Sequence, residues 1–137
     1  MNSLKKYALT ETATLHLQDP DGELMYLDDD MKMPVILELY GVGSKQYQLA
    51  ERKRQDSLAS KFKRYKNKTI PTEELEELRV DFLVRVVAGS ENFNLDGQTG
   101  EDLYRAVFSD RSLVFITDQV DRFISDQANF TGKPLTN

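Results

Sequence analysis

The sequence predicts an α+β fold, with a small N-terminal antiparallel sheet of about three strands followed by a bundle of about four helices. Three observations carry this. Between Thr12 and Leu17 apolar and polar residues alternate, with Ala13, Leu15 and Leu17 on one face, which is the period of a strand. The run Asp19-Pro-Asp-Gly22 is a chain-reversing turn, in which proline fixes φ and glycine supplies a positive φ. From Ser44 onward apolar residues recur every three or four positions, the mark of amphipathic helices. At 137 residues the chain reads as one domain over 1–137, with sheet over 12–41, helices over 44–129 and a frayed tail over 131–137.

Taken in order, Glu23 to Leu27 is expected to return as a second strand. Asp28-Asp-Asp30 is a solvated corner, because adjacent carboxylates repel and need water. Pro34 to Tyr40 supplies a third strand whose Val35, Leu37 and Leu39 form an apolar face. Such a one-sided sheet needs a cover. Ser44 is a natural N-cap for a first helix ending near Tyr65. Its expected inward line is Tyr47, Ala50, Leu58, Phe62 and Tyr65, with Arg54 snorkelling. Thr72 is the expected cap of a second helix, with Glu73 and Glu74 in its first turn, where the helix dipole favours acids. Leu75, Leu78, Phe82 and Val86 form its stripe. Val80, Leu83, Val84 and Val87 make its second half apolar nearly all round, so it should be the most buried helix. Gly89 is placed to end it. After a loop over 90–100, Thr99 and Asp102 resemble a capping box for a short helix to Phe108. Ser109-Asp110 then starts a last helix to about Asn129, with Leu113, Ile116, Val120, Phe123, Ile124 and Gln127 inward.

Composition excludes whole classes of function. There is no cysteine, so disulfide frameworks and thiolate metal sites are ruled out. The single histidine, His16, cannot form a His pair for zinc. The start MNSLKKYALTETATL is basic but lacks a continuous apolar run, so it does not read as a secretory signal. No apolar run reaches the roughly 18 residues a membrane span needs. The glycosylation-like patterns at Asn67 and Asn129 read as chance matches without a secretion route. The net charge is −5, yet residues 45–68 hold nine Lys or Arg against two acids, which leaves −12 on the rest. The expected picture is a cytoplasmic protein with one basic segment on an acidic body.

Candidate chemistry fares poorly. Asp19-Pro-Asp-Gly22 lacks the later ligands of a calcium loop. Gly41-Val-Gly-Ser-Lys45 is too short for a phosphate loop and has serine before lysine. His16 has no neighbour in sequence to orient it as a base. Asp118, Asp121 and Asp126 read as a solvated helix face. The basic segment stands out, through Arg52, Arg54, Lys61 and Arg64. A solvated face or a dock for an acidic protein partner explains it better than nucleic acid, given the negative overall charge.

Three stretches together resemble the tail assembly chaperones of tailed bacteriophages and prophages. They are Thr14-Leu-His-Leu-Gln-Asp-Pro-Asp-Gly22, Leu39-Tyr-Gly-Val-Gly-Ser-Lys-Gln-Tyr47 and Gln119-Val-Asp-Arg-Phe-Ile-Ser-Asp-Gln-Ala-Asn-Phe130. Their order and similar spacing carry the resemblance across residues 14–130. Val42 and Gly43 stand where the family often has proline and aspartate. The family's tryptophan after the middle helix is absent, and Phe93 is the candidate for its packing role. The resemblance implies a non-enzymatic protein with no cofactor. It would bind the tape-measure protein, and the tail tube protein is a second candidate partner. It would act in the cytoplasm of the bacterial host and be missing from the mature virion. No membrane partner is expected, and self-association is left open. A client helix would lie in a groove between helices, with Arg52, Arg54, Lys61 and Arg64 giving electrostatic registration. Phe130, past the regular stripe, either folds back or meets the partner, and joins the partner-binding candidates. The competing readings are a small nucleic-acid-binding regulator using the basic helix over 45–68, and a structural tail component.

Overall fold

A computed structural model describes residues 3–66 and 68–132. Asn67 and the part of the expected frayed tail beyond residue 132 lie outside the described residues. The α+β class, the three-stranded antiparallel sheet and the four helices stand as predicted. Strands β1 (Thr12–His16) and β2 (Ile36–Tyr40) pair with Ala13 opposite Leu39 and Leu15 opposite Leu37. Leu37 and Leu39 are fully buried, as the one-sided apolar pattern requires.

The third strand, however, is a different segment. Residues 23–27 make only isolated bridges, Gln18 with Leu24 and Tyr26 with Pro34. Carboxylates at both ends draw the backbone into turns instead. Asp19 Oδ1 accepts from the backbone N–H groups of Asp21 and Glu23 at 2.9 and 3.0 Å. Asp28 Oδ1 likewise accepts from Lys32 and Met33 at 3.0 and 2.8 Å. Such side-chain bonds compete with a ladder. The third place in the sheet goes to β3 (Val87–Glu91), antiparallel to β2 on its other side, so the order is β1-β2-β3. The sheet is therefore not confined to residues 12–41. The second helix stops at Val86, and Gly89 lies within β3 opposite Glu38 rather than closing the helix. The β-branched run that thickens the helix's end continues as a strand, a conformation it fits well.

Helix α1 (Lys45–Tyr65) starts as expected. Ser44 Oγ accepts from Tyr47 N at 3.1 Å and donates to Gly41 O at 2.7 Å, and the serine is buried. The inward line of α1 runs through buried Ala50 and half-buried Arg54, Leu58, Lys61 and Tyr65. Each four-residue step advances about 40° round the helix, so after 50, 54 and 58 a three-residue step to Lys61 restores the line, whereas a further four-residue step carries Phe62 off it. Phe62 is 58% exposed, not inward. Helix α2 (Thr72–Val86) begins after Pro71, and Thr72 is its first residue rather than its cap. Phe82, Leu83, Val84 and Val86 are buried, as the apolar second half implies. Leu75, at the other end, is exposed.

Helix α3 (Gly100–Ser109) follows Thr99, whose side chain makes no capping bond, so the capping box does not form. Asp110 then caps a single 3-10 turn over Arg111–Leu113, its Oδ1 accepting from Ser112 N at 2.9 Å. Helix α4 (Val114–Ser125) buries Ile116, Val120, Phe123 and Ile124. It ends four residues before the expected Asn129. Asp126 Oδ1 accepts from Ala128 N at 3.0 Å, and Asn129 Nδ2 donates to Phe123 O at 3.0 Å. These polar groups satisfy the chain end and bend it into a 3-10 turn over Gln127–Phe130. Gln127 consequently faces water rather than the core. One apolar core joins the inner sheet face to α2, α3 and α4.

Candidate partner-binding surfaces

The four basic residues singled out on α1 do not form one free cationic face. Arg54 lies with its guanidinium carbon 3.9 Å from the centroid of the Phe82 ring and pairs with Glu51. Its alkyl stem and planar head thus cover the core, which fits the snorkelling expectation. Lys61 Nζ lies 3.0 Å from Glu74 Oε1, and Arg64 lies 3.8 Å from the same oxygen. The Tyr65 hydroxyl also donates to Glu74. That hydrogen bond, with the Lys61 ammonium, holds the Glu74 carboxyl below its ordinary range, and the Tyr65 hydroxyl is raised in turn. Arg52 has no ion pair among the described residues and is exposed. So Lys61 and Arg54 knit α1 to α2, while Arg52 and the largely exposed Arg64 remain available to an outside partner.

Phe130 is the clear correction among the candidates. It is 1% exposed and packs edge-on against Phe123, with ring centroids 5.7 Å apart. A Cβ placed on Gly41 would sit 2.5 Å from Phe130 Cδ1, so only glycine lets the ring lie over that turn. The backbone joins in, with Thr10 N donating to Phe130 O at 2.7 Å. Phe130 is therefore a core side chain and cannot meet a partner in this state. Of the two alternatives open for a residue past the helical stripe, folding back is the one seen, and the turn at Asp126 is what carries the ring inward.

The acids of α4 are not merely solvated. Arg79 Nε donates to Asp121 Oδ2 at 2.7 Å, and Arg79 Nη2 to Asp118 Oδ1 at 3.0 Å. Partial burial works against the guanidinium's charge, but the hydrogen bonds it donates to Asp118 and Asp121, with their negative charge, outweigh it and raise the Arg79 pKa. The three-residue spacing of the two aspartates, which puts them on one helix face, was the available signal; their partner lies 39 residues upstream of Asp118. His16 Nε2 donates to Met25 O at 2.9 Å, and the ring meets Tyr26 edge-on. Those contacts give it a structural role.

A second clasp escaped sequence reasoning. Gln119 Oε1 accepts from Gln18 N at 2.8 Å, and Gln119 Nε2 donates to Gln18 O at 2.6 Å. One amide thus binds both backbone groups of a residue beside the N-terminal turn.

A cleft of about 530 Å3 lies where α2 meets the α3–α4 corner. Val80, Phe108, Val114 and Thr117 supply its apolar part. Glu73, Glu76 and Glu77 line the α2 side. Their spacing to Val80, at i, i+3, i+4 and i+7, puts all four on one face of the helix. Arg105, on the other side, is held 2.8 Å from Asp81. Thr117 is 3% exposed, and its Oγ1 has no hydrogen-bond partner among the described residues. A helical threonine commonly donates to the carbonyl four residues back, as Ser125 does to Asp121 O at 2.7 Å. Leaving such a hydroxyl unpaired costs about 1–3 kcal/mol.

Exposed apolar side chains gather elsewhere on the 23–33 ribbon, at Leu24, Leu27, Met31 and Met33, and on α1 at Leu49 and Phe62. Among the described residues no group of three or more His, Cys, Asp or Glu is arranged to hold a metal ion, and no helix is long and apolar enough to cross a membrane. The chain matches no family model, no curated protein and no solved structure.

Proposed function

We propose that the chain is a tail assembly chaperone of a tailed phage or prophage, which binds the tape-measure protein and keeps it soluble while the tail tube assembles around it. The observation that carries this reading is the meeting of the three resemblance stretches in space. Gln18 of the first is clasped by Gln119 of the third. Gly41 of the second is covered by Phe130 of the third. Ser44 of the second caps α1 and holds the same turn. The residues behind the resemblance thus act together as the joints of one architecture, as expected if the resemblance reflects a common fold rather than chance matches.

The surface is suited to the task. A client with apolar helical stripes needs apolar patches that adapt in shape, and Met31 and Met33 on the ribbon offer flexible, polarisable contacts. Arg52 and Arg64 add charge for encounter and registration. Release before completion of the tail requires modest affinity, on the order of micromolar, or about −8 kcal/mol. Co-expression with a phage tape-measure protein, followed by affinity capture, tests the reading. Capture of the tape-measure protein is expected, reduced at low salt by Arg52→Glu/Arg64→Glu, with that difference narrowing as salt rises. Recovery of nucleic acid in its place, or the protein's presence in finished virions, favours the two competing roles.

A further inference from the structure

We propose that the cleft between α2 and the α3–α4 corner is the docking groove for an amphipathic helix whose apolar ridge is flanked by lysine or arginine; this rests on the chaperone reading for the identity of its owner. Three observations converge. First, the cleft of about 530 Å3 has an apolar base at Val80, Phe108 and Val114, and Val114 is 48% exposed. Second, the charge left over is negative. Arg79 is taken up by Asp118 and Asp121, and Arg105 by Asp81. Glu73, Glu76 and Glu77 have no ion pair among the described residues; of the cleft's arginines Arg111 likewise has none, and Glu77 also borders Lys61 and Arg64 on its α1 side. Glu73 is explained by the helix dipole, since it sits in the first turn of α2. Glu76 and Glu77 lie beyond that turn and have no such account. Third, Thr117 borders the cleft, nearly fully buried, with its hydroxyl unpaired.

These features select the occupant. An apolar base with an acidic rim matches a helix with apolar side chains at i, i+3, i+4 and i+7 and cationic residues beside them. An acidic helix would meet Glu73, Glu76 and Glu77 head on, so the rim also rejects wrong partners. The basic face of α1 therefore need not be the principal dock, and its exposed Arg52 lies on a different helix from the cleft's acid rim.

The test uses the full chain and two synthetic helical peptides of roughly 15 residues, four turns, one built from leucine and lysine and one from leucine and glutamate. Fluorescence anisotropy at low salt should show binding of the lysine peptide and at least about tenfold weaker binding of the glutamate peptide. Amide chemical-shift changes should centre on residues 73–80 and 108–117. Glu76→Lys/Glu77→Lys should weaken the lysine peptide by about tenfold, and Val114→Lys should do the same. Should a reversed variant lose its helical circular dichroism, Glu76→Gln and the shift map on the unaltered chain decide. Shift changes confined to α1 or the 23–33 ribbon, equal affinity for both peptides, or a cleft filled by a second copy in sedimentation, overturn the proposal. Capture of the tape-measure protein that is indifferent to the cleft substitutions sinks this inference and leaves the chaperone reading standing. Peptide binding in the cleft without capture of that client does the reverse.

Discussion

Gly41 and Phe130 form the contact on which the C-terminal turn depends. Replacing Phe130 with alanine empties a buried site and should cost about 3–5 kcal/mol in urea-denaturation free energy. Gly41→Ala forces a methyl group into the space the ring fills and should cost about 1–3 kcal/mol with the same readout. If either variant unfolds at the wild-type midpoint, Phe130 is not a core residue in solution. Thr117 points the other way. Its hydroxyl is buried without a partner, so Thr117→Val should stabilise the free protein by about 1 kcal/mol. These two residues were the least legible in the sequence. Phe130 lies beyond the regular helical stripe, and nothing local announces that Asp126 and Asn129 bend the chain inward. Thr117 looks like any helical threonine until its surroundings are known. Ser44 was legible because an N-cap is a local event, decided by the serine and the turn next to it.

Pairs of elements are joined by charge as well as by apolar packing. The α1–α2 hairpin closes around Glu74, which the Tyr65 hydroxyl and Lys61 hold below the ordinary carboxylate range. A depressed carboxyl stabilises the fold above its unfolded-state pKa, and that contribution is lost as pH falls through the folded-state value. Stability of the wild type should therefore drop more steeply than that of Glu74→Gln as the medium is acidified through and below the carboxylate range. A carbon-detected titration should show the Glu74 carboxyl moving back up in Tyr65→Phe. Parallel acid limbs for the two proteins contradict the assignment. Between α2 and α4, Arg79 bridges Asp118 and Asp121. Because the group is 39% exposed, water screens it, and Arg79→Ala should cost only about 1 kcal/mol and less in high salt. Lysine should not restore the full value, since one ammonium cannot reproduce a fork that reaches two carboxylates. At this scale the sequence revealed β1, β2, α1, α2 and α4 through their periods, and α3 through the turn and cap signals that flank it. It misplaced the third strand because a largely apolar run just after a chain reversal, such as 23–27, and a β-branched helix end, such as 84–87, carry similar local signals. The choice between them is made by which segment can lie beside β2 with its apolar side covered, a long-range property.

For the molecule as a whole, the joints that connect Gln18 with Gln119 and Gly41 with Phe130 hold the sheet and the last helix as one body. The surfaces left outside that body are of three kinds. They are an adaptable apolar ribbon with Met31 and Met33, a partly neutralised basic helix with Arg52 and Arg64, and an acid-rimmed cleft on α2. Composition foretold the basic segment but not its internal pairing with Glu51 and Glu74, since those partnerships depend on how α1 turns and where α2 lies. The cleft was not legible at all, because its walls come from residues 73 to 117 and exist only once α2, α3 and α4 are packed. The chaperone account requires that these surfaces hold a client in solution. The most direct measurement is light scattering of purified tape-measure protein diluted from denaturant, with and without this chain. Suppression of aggregation that rises with added chain and saturates at a fixed ratio is the expected result; turbidity that develops at the same rate and to the same extent in its presence contradicts the account.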